Sequence, residues 1–181
     1  MIDCFVVAPK IAPMLSQNVQ DKINEQINNE LFSSYSYLAM SAYCSDKQYH
    51  GCAHWLRMQS QEENEHAMRL YDFLVARGGR VVLSKIKSPK IEFKSLLSVF
   101  KLVLKQEMKV SAQIDALFEL ALKEKAFAAL VELEWFVQEQ VEEEKNARDI
   151  LHKFELLKDD PSSLLDLDRD LGDRKEESEG G

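Results

Sequence analysis

Four stretches of the chain carry apolar side chains at alternating spacings of three and four residues. This periodicity places the side chains on one face of an α-helix, the face that packs into a core. It predicts helices over about residues 19–45, 52–77, 94–123 and 127–157. A short fifth helix is expected over about 162–171, because Pro161 suits the first turn of a helix.

The connections between these helices predict the topology. Gly78 and Gly79 end the second helix, since glycine readily takes the left-handed conformation at helix ends. The next stretch, RVVLSKIKSPKIEF, exceeds the roughly 2–8 residues that usually join neighbouring antiparallel helices. It is long enough to run from one end of a bundle to the other. The fold class is therefore all-α: a four-helix bundle with a long crossover between helices 2 and 3 and a short C-terminal fifth helix.

Side chains that bind metals interrupt each apolar stripe near its middle. They are Glu30 in the first helix, Glu63 and His66 in the second, Glu107 in the third, and Gln140 and Glu143 in the fourth. An ionised carboxylate in an apolar interior is costly unless it is paired or binds a cation. Antiparallel and crossed-over packing brings mid-helix positions to one level, so the pattern predicts one shared metal site.

The composition of this ligand set favours iron or manganese, because it offers hard oxygen atoms and a single imidazole. Four carboxylates carry enough charge for two divalent cations. One metal is expected to bind Glu30, Glu63 and His66. The other is expected to bind Glu63, Glu107 and Glu143, with Glu63 as the bridge.

Two aromatic residues near these positions leave alternatives open. Tyr37 follows Glu30 by two turns, and is either a core tyrosine bonded to a carboxylate or an electron donor beside the metals. Trp135 is either a second aromatic group at the site or simple packing. Phe136 competes with Trp135 for the central position on the fourth stripe.

Acidic residues at the stripe edges suggest a weaker third cation position, formed by Glu62, Glu139 and Glu142. Spacing alone favours a solvated acidic face over such a site. Glu144 is expected to belong to that solvated face.

Composition narrows the class of protein further. The net charge of −8 argues against a nucleic-acid partner. The three cysteines (Cys4, Cys44 and Cys52) are widely spaced, which favours a reducing compartment over a disulfide framework. No apolar run reaches the roughly 20 residues that span a bilayer, so we expect a cytoplasmic protein without membrane contact. Residues 1–16 are expected to form a flexible extension and 172–181 a disordered acidic tail, leaving 17–171 as the folded domain.

The motifs resemble those of prokaryotic non-haem ferritins over roughly residues 14–171. The resemblance rests on NEQINNELFSSYSYLAMSAYC, EENEHAMRLYDFL, QEM and ELEWFVQEQVEEE, one in each long helix. Ferritin-like di-metal bundles commonly carry Glu-x-x-His on two helices. Here the fourth helix has Gln140-x-x-Glu143 instead, which resembles ferritins proper rather than bacterioferritins or rubrerythrins.

This resemblance implies a ferritin-like di-iron ferroxidase in a cage of 24 identical subunits. Two Fe(II) ions per subunit would be oxidised by O2 or peroxide at the centre, near Gln140 and Tyr37, and stored as ferric mineral. The resemblance also supports the third site at Glu62, Glu139 and Glu142. It implies no haem, because Asn64 stands where bacterioferritins place the haem-binding methionine.

Two other functions remain open at this point. A rubrerythrin-like di-iron peroxidase would need an electron-delivery module, and the chain has no CxxC pair. A structural cage with a catalytically inactive centre is the other alternative, and turnover measurements distinguish it.

Overall fold

The computed structural model describes residues 15–157 and 160–174, which form α-helices and connecting segments without a β-strand. The helices are α1 (Gln17–Asp46), α2 (His50–Ala76), α3 (Leu96–Lys123), α4 (Phe127–Leu156) and α5 (Pro161–Gly172). The predicted fold class is confirmed, and each helix end lies within two residues of the position that the sequence predicts. Residues 1–14 and 175–181, which make up most of the predicted extension and tail, lie outside the described residues, as do 158 and 159.

Local sequence signals start two of the long helices. The Ser16 hydroxyl accepts a hydrogen bond from the Val19 amide (3.2 Å) and caps α1. Ser95 and Ser98 form a reciprocal capping box at the start of α3. These bonds satisfy amide groups that a helix leaves unpaired in its first turn. Short-range chemistry therefore sets both helix starts.

The start of α2 depends instead on α5. The Asp168 carboxylate of α5 accepts hydrogen bonds from the backbone amides of Gly51 (3.2 Å) and Cys52 (2.7 Å). A Cβ atom at Gly51 would lie 1.6 Å from the Asp168 carbonyl oxygen, so only glycine permits this approach. Leu167 and Leu171 bury the apolar face of α5 in the same region. The short fifth helix is thus fastened to the bundle by both capping and burial.

The long crossover is held along α1 by two asparagine side chains. Asn24 donates to the Arg80 carbonyl (2.9 Å) and accepts from the Val82 amide (2.7 Å). One turn later, Asn28 donates to the Val82 carbonyl (3.1 Å) and accepts from the Ser84 amide (2.7 Å). Each side-chain amide therefore replaces a backbone partner, and the crossover follows a defined path without regular secondary structure of its own.

The buried apolar residues form two clusters on opposite sides of the mid-helix level. The first cluster joins the end of α1 and the start of α2 to the start of α3, the end of α4 and α5, and includes Met40, Leu56, Phe100, Phe154 and Leu167. The second cluster joins the opposite ends of the four long helices and includes Ile27, Leu74, Ile114 and Phe136. The crossover leads from the second cluster to the first, as predicted. Between the clusters lies a level occupied by polar side chains.

The conformation of Gly78 and the state of the cysteines can also be compared with the predictions. Gly78 has φ +71°, the left-handed conformation expected after α2. Cys44 and Cys52 are buried free thiols, whereas Cys4 lies outside the described residues. Across residues 15–157 and 160–174, no helix combines the length and apolar character needed to cross a membrane.

Candidate metal centre

The polar level between the two clusters is built from the side chains that interrupt the apolar stripes. All of them are buried, with at most 6% of their surface exposed: Glu30, Glu63, His66, Glu107, Gln140 and Glu143. The periodicity explains their burial, because each occupies a core-facing position of its helix. All four long helices contribute to this level.

Three of these side chains converge closely. A carboxylate oxygen of Glu30, one of Glu63 and a ring nitrogen of His66 lie within 4.8 Å of one another. Among the described residues, this is the one group of three acidic, histidine or cysteine ligands at such spacing. It is the ligand set that the sequence predicts for the first metal.

Glu107 and Glu143, the other expected ligands of the second metal, are not part of that close group. They interact with it through charge: Glu107 raises the pKa of Glu63 and of Glu143, in each case after the larger effect of burial. Burial, together with the neighbouring Glu30 carboxylate, also raises the pKa of Glu107 to about 7, although its bond to Tyr37 opposes the shift. The buried carboxylates therefore hold protons more readily than they would in water.

The Tyr37 hydroxyl donates a hydrogen bond to Glu107 Oε1. Burial and the surrounding carboxylates raise the pKa of Tyr37 well above its usual value. The structure thus shows Tyr37 as a buried tyrosine bonded to a carboxylate, as in the first alternative, and its role as an electron donor stays a prediction.

His66 lies against an aromatic wall contributed by α4. Its ring is 5.3 Å from that of Trp135 and 5.9 Å from that of Phe136, in both cases edge to face. Burial lowers the pKa of His66 to about 4, and the charge of Arg69 adds to the shift. The imidazole is therefore neutral near pH 7, the form that binds metals.

Apart from a proton that Glu30 and Glu63 can share, four buried ligand atoms have no hydrogen-bond partner among the described residues: Glu30 Oε2, Glu63 Oε2, His66 Nδ1 and Glu107 Oε2. A buried polar atom without a partner costs about 1–3 kcal/mol, and more when it is charged. Four such atoms at one level of the bundle favour a cation as their common partner. Three carboxylate oxygens and one imidazole nitrogen are a donor set that suits iron.

Two glutamines that sequence reasoning missed orient these carboxylates. Gln26 donates to Glu30 Oε1 (2.8 Å), and Gln59 donates to Glu143 Oε2 (2.8 Å). The first was detectable in principle, because Gln26 lies four residues before Glu30 on the same helix. The second depends on how α2 packs against α4.

The carboxylates predicted for the third cation position lie outside the buried centre. Glu62 and Glu139 are half-buried and Glu142 is exposed. No group of three closely spaced ligands within residues 15–157 and 160–174 includes any of them. Glu62 instead pairs with Arg174, a residue of the predicted tail (2.8 Å).

The expectation for Glu144 is wrong. Glu144 is half-buried and accepts hydrogen bonds from Ser111 (2.6 Å) and Arg148 (3.1 Å), whereas its neighbour Glu142 is exposed. Gln140 Oε1 lies 3.1 Å from the same Ser111 oxygen, whose single proton serves the shorter bond to Glu144. The pairing of α3 with α4 decides this outcome, because it brings Ser111 across to the acidic run.

Comparisons with known proteins agree with this arrangement. The model of the family described as "Ferritin-like domain" matches residues 20–157. The bacterial non-heme ferritin of Staphylococcus haemolyticus is 37% identical over 166 residues, covering 92% of this chain and 100% of the relative. The corresponding protein of Staphylococcus aureus is 35% identical over 161 residues, covering 89% of this chain and 97% of the relative.

The architecture is also similar to solved structures. The open pore ferritin of the hyperthermophilic archaeon Archaeoglobus fulgidus superposes with a TM-score of 0.89 at 41% identity. That similarity covers 91% of this chain and 100% of the archaeal chain. It extends over the whole bundle rather than over one helix pair.

Proposed function

Because this chain belongs to the ferritin family, we propose that it stores iron and is a ferroxidase that oxidises Fe(II) at the buried centre. The observation that carries the proposal is the convergence of Glu30, Glu63 and His66, each with a buried atom that lacks a hydrogen-bond partner within the described ranges. Such atoms suit a cation that enters and leaves, because no protein group occupies them permanently.

The proposed reaction uses two Fe(II) ions as substrate. Glu30, Glu63 and His66 would hold one ion, while Glu63, Glu107 and Glu143 would hold the other. Four carboxylates balance the four positive charges of two Fe(II) ions. Cation binding would release the protons that burial favours on these carboxyl groups.

Oxidation of both ions to Fe(III) would release two electrons, which with two protons would reduce O2 to hydrogen peroxide. Peroxide as oxidant would accept two electrons and two protons and give two water molecules. Gln26 and Gln59 hold the carboxylates in place, and Tyr37 holds Glu107, so that the site is organised before iron arrives. Trp135 and Phe136 cover His66 and keep water from its ring. Gln140 is buried at the same level, with Oε1 3.1 Å from the Ser111 hydroxyl oxygen.

Fe(III) would then move to a mineral inside a homo-oligomeric cage. We propose 24 subunits, and the similarity to a solved open pore ferritin over 91% of this chain supports a cage. Sedimentation or mass photometry measures the particle directly. A species with the mass of one or two chains would exclude the cage and leave the metal centre untouched.

Substitution of the central ligands tests the ferroxidase proposal. We expect Glu63→Ala and His66→Ala proteins to oxidise Fe(II) about 100-fold more slowly than the parent, since even residues behind the ligands often contribute 10–100-fold. Glu65→Ala is the matched control, because Glu65 lies on the same helix but is exposed. Parent-like rates in either ligand variant would refute the centre. An inactive parent that still assembles would indicate a structural cage.

A further inference from the structure

Arg174, the second residue after α5, brings a positive charge to the edge of the metal centre. The Arg174 guanidinium bonds both oxygens of Glu62 (2.8 and 2.9 Å) and also donates to Gln59 Oε1. Its central carbon lies 5.1 Å from the centre of the Trp55 ring. Trp55, Gln59 and Glu62 are spaced four and three residues apart, so they form one stripe of α2 that receives the arginine.

This pairing is more protected than an ordinary surface ion pair. The side chain of Arg174 is 15% exposed and that of Glu62 is 20% exposed, whereas Arg169 and Asp166 in α5 pair at 75% and 71% exposure. Both bonds to Glu62 come from Nη2, while Nη1 bonds Gln59, so two nitrogens fix the orientation of the planar guanidinium. Hydrogen bonds between ionised groups are also stronger than those between neutral groups.

The backbone around Arg174 is also anchored. The Arg174 carbonyl oxygen lies 2.9 Å from His54 Nε2. Asp168, one and a half turns earlier, caps the start of α2. The position of the guanidinium therefore follows from the docking of α5.

Gln59 connects this pair to the buried centre. Its carbonyl oxygen accepts from Arg174, and its amide donates to Glu143 Oε2 (2.8 Å). Burial raises the pKa of Glu143, Glu107 and Glu62 add to the shift, and the charge of Arg174 opposes it. A cation at this place therefore stabilises the ionised carboxylates around it.

We propose that Arg174 is an internal cation at the Glu62 side of the third cation position, so that a metal ion binds there only after Arg174 has left. Arg174 and a metal ion cannot bind Glu62 at the same time, because the guanidinium already bonds both oxygens of the carboxylate. Arginine does not lose its proton in proteins, so a rise in pH does not release the carboxylate. The segment after α5 thus regulates metal access to the flank of the centre. This inference rests on the proposed ferroxidase function.

Competition of this kind is reciprocal. If Arg174 weakens metal binding at Glu62, metal binding weakens the docking of Arg174 by the same factor. Metal binding at the flank should therefore loosen the segment after α5, which gives a readout that does not depend on iron oxidation.

Zinc binding tests the proposal, because Zn(II) is redox-inert and leaves oxidation out of the measurement. Calorimetric titration and zinc anomalous diffraction would be applied to the assembled parent, Arg174→Gln and Arg174→Lys. Arg169→Gln is the matched control, since it removes the same charge from an exposed residue of α5. We expect Arg174→Gln to bind zinc at Glu62 about tenfold more tightly than the parent, within the usual range of coupling between sites. Arg174→Lys should lie between them, because lysine keeps the charge but lacks the planar pair of nitrogens with which arginine bonds Glu62 and Gln59.

The outcomes separate this proposal from the one on which it depends. If zinc binds Glu62 equally tightly in the parent and in Arg174→Gln, and also binds at Glu30, Glu63 and His66, only the proposal for Arg174 is overturned. An equal gain in Arg169→Gln also overturns it, because a general charge effect would then suffice. Absence of zinc from Glu30, Glu63 and His66 in the parent overturns the proposed function. Hydrogen exchange at Leu171 and Gly172 should increase when zinc fills the flank of the parent, and unchanged exchange there would contradict the reciprocal release.

Discussion

The buried centre differs from its flank, the half-buried Glu62 and Glu144, in whether its acidic side chains have partners in the protein. In the centre, Glu30, Glu63 and Glu107 are at most 2% exposed, and each keeps one oxygen without a partner among the described residues. On the flank, Glu62 bonds Arg174 and Glu144 bonds Ser111 and Arg148. Within residues 15–157 and 160–174, the chain supplies hydrogen-bond partners for acidic groups at the edge of the site but none for these three oxygens inside it.

The difference shows where each kind of charge is tolerated. An unpaired buried carboxylate is destabilising by several kcal/mol unless it binds a proton or a cation. At the edge, water screens the charge and long arginine side chains can reach it. Buried acidic groups without partners are therefore the better sign of a metal centre, and paired ones at the edge indicate regulation or support.

The largest expected effect is a difference in stabilisation by bound metal between variants of Glu63 and variants of its neighbour Glu62. Divalent metal at 100 times its dissociation constant should stabilise the parent by about 2.7 kcal/mol for each site. Glu63→Gln should lose most of this stabilisation, because it lacks the carboxylate proposed to bind both ions. Glu62→Gln should keep it. Thermal unfolding with and without Zn(II) measures both, and equal losses in the two variants would remove the distinction between centre and flank.

The second prediction concerns pH in the metal-free protein. Glu107 has a pKa of about 7 in the folded state against 4.5 ordinarily, so folding stability falls as pH rises between those values. His66 has a pKa of about 4 in the folded state against 6.5 ordinarily, so its contribution to folding stability increases as pH rises between those values. Above pH 6.5 only the raised carboxyl groups contribute, and stability should fall towards pH 8.

Unfolding measurements on metal-free parent and Glu107→Gln check this sign. The variant should show a smaller fall between pH 6.5 and 8, because one titrating group has been removed. A metal-free parent that gains stability over that range would contradict the electrostatic description of the centre.

A smaller effect is expected at Gln59, which joins centre and flank. Gln59→Met keeps the length of the side chain but removes its bonds to Glu143 and Arg174. Metal affinity on the Glu143 side should fall about tenfold, as is usual when a group that orients a ligand is lost. Zinc titration measures the change. An unaltered affinity would show that Glu143 is held in place without Gln59.

The smallest effect is expected at Glu144. Glu144→Gln should change the free energy of unfolding by no more than about 0.5 kcal/mol, because the amide oxygen can still accept from Ser111 and an ion pair with the exposed Arg148 contributes little. Central zinc affinity should stay within about twofold of the parent value. A loss comparable to that of Glu63→Gln would place Glu144 functionally in the centre.

Much of the fold was predictable because its signals are short-range. Apolar periodicity located α1 to α4 to within two residues, and the run after Gly78 and Gly79 predicted the crossover. The proposed ligands were predictable for the same reason, since a carboxylate on a core-facing stripe is visible without coordinates. Their coordination of iron stays a prediction until metal is bound.

The remaining features could not be predicted, because they join residues far apart in the chain. Asp168 caps α2 from more than 110 residues away, and Arg174 reaches Glu62 across 112 residues. Sequence reasoning placed Arg174 in a disordered tail, since nothing local marks it as a partner of α2. Glu144 was assigned to solvent because its pairing with Ser111 depends on the contact between α3 and α4.

The sequence by itself determined which side chains face inward, because helical periodicity assigns a face to every residue. It therefore determined that acidic groups and one histidine lie at mid-helix within an apolar core. Only the tertiary structure decided which of them converge, which keep buried atoms without a partner, and which receive a cation from the chain itself. Those outcomes depend on distances of a few ångströms between helices, which helical periodicity does not specify.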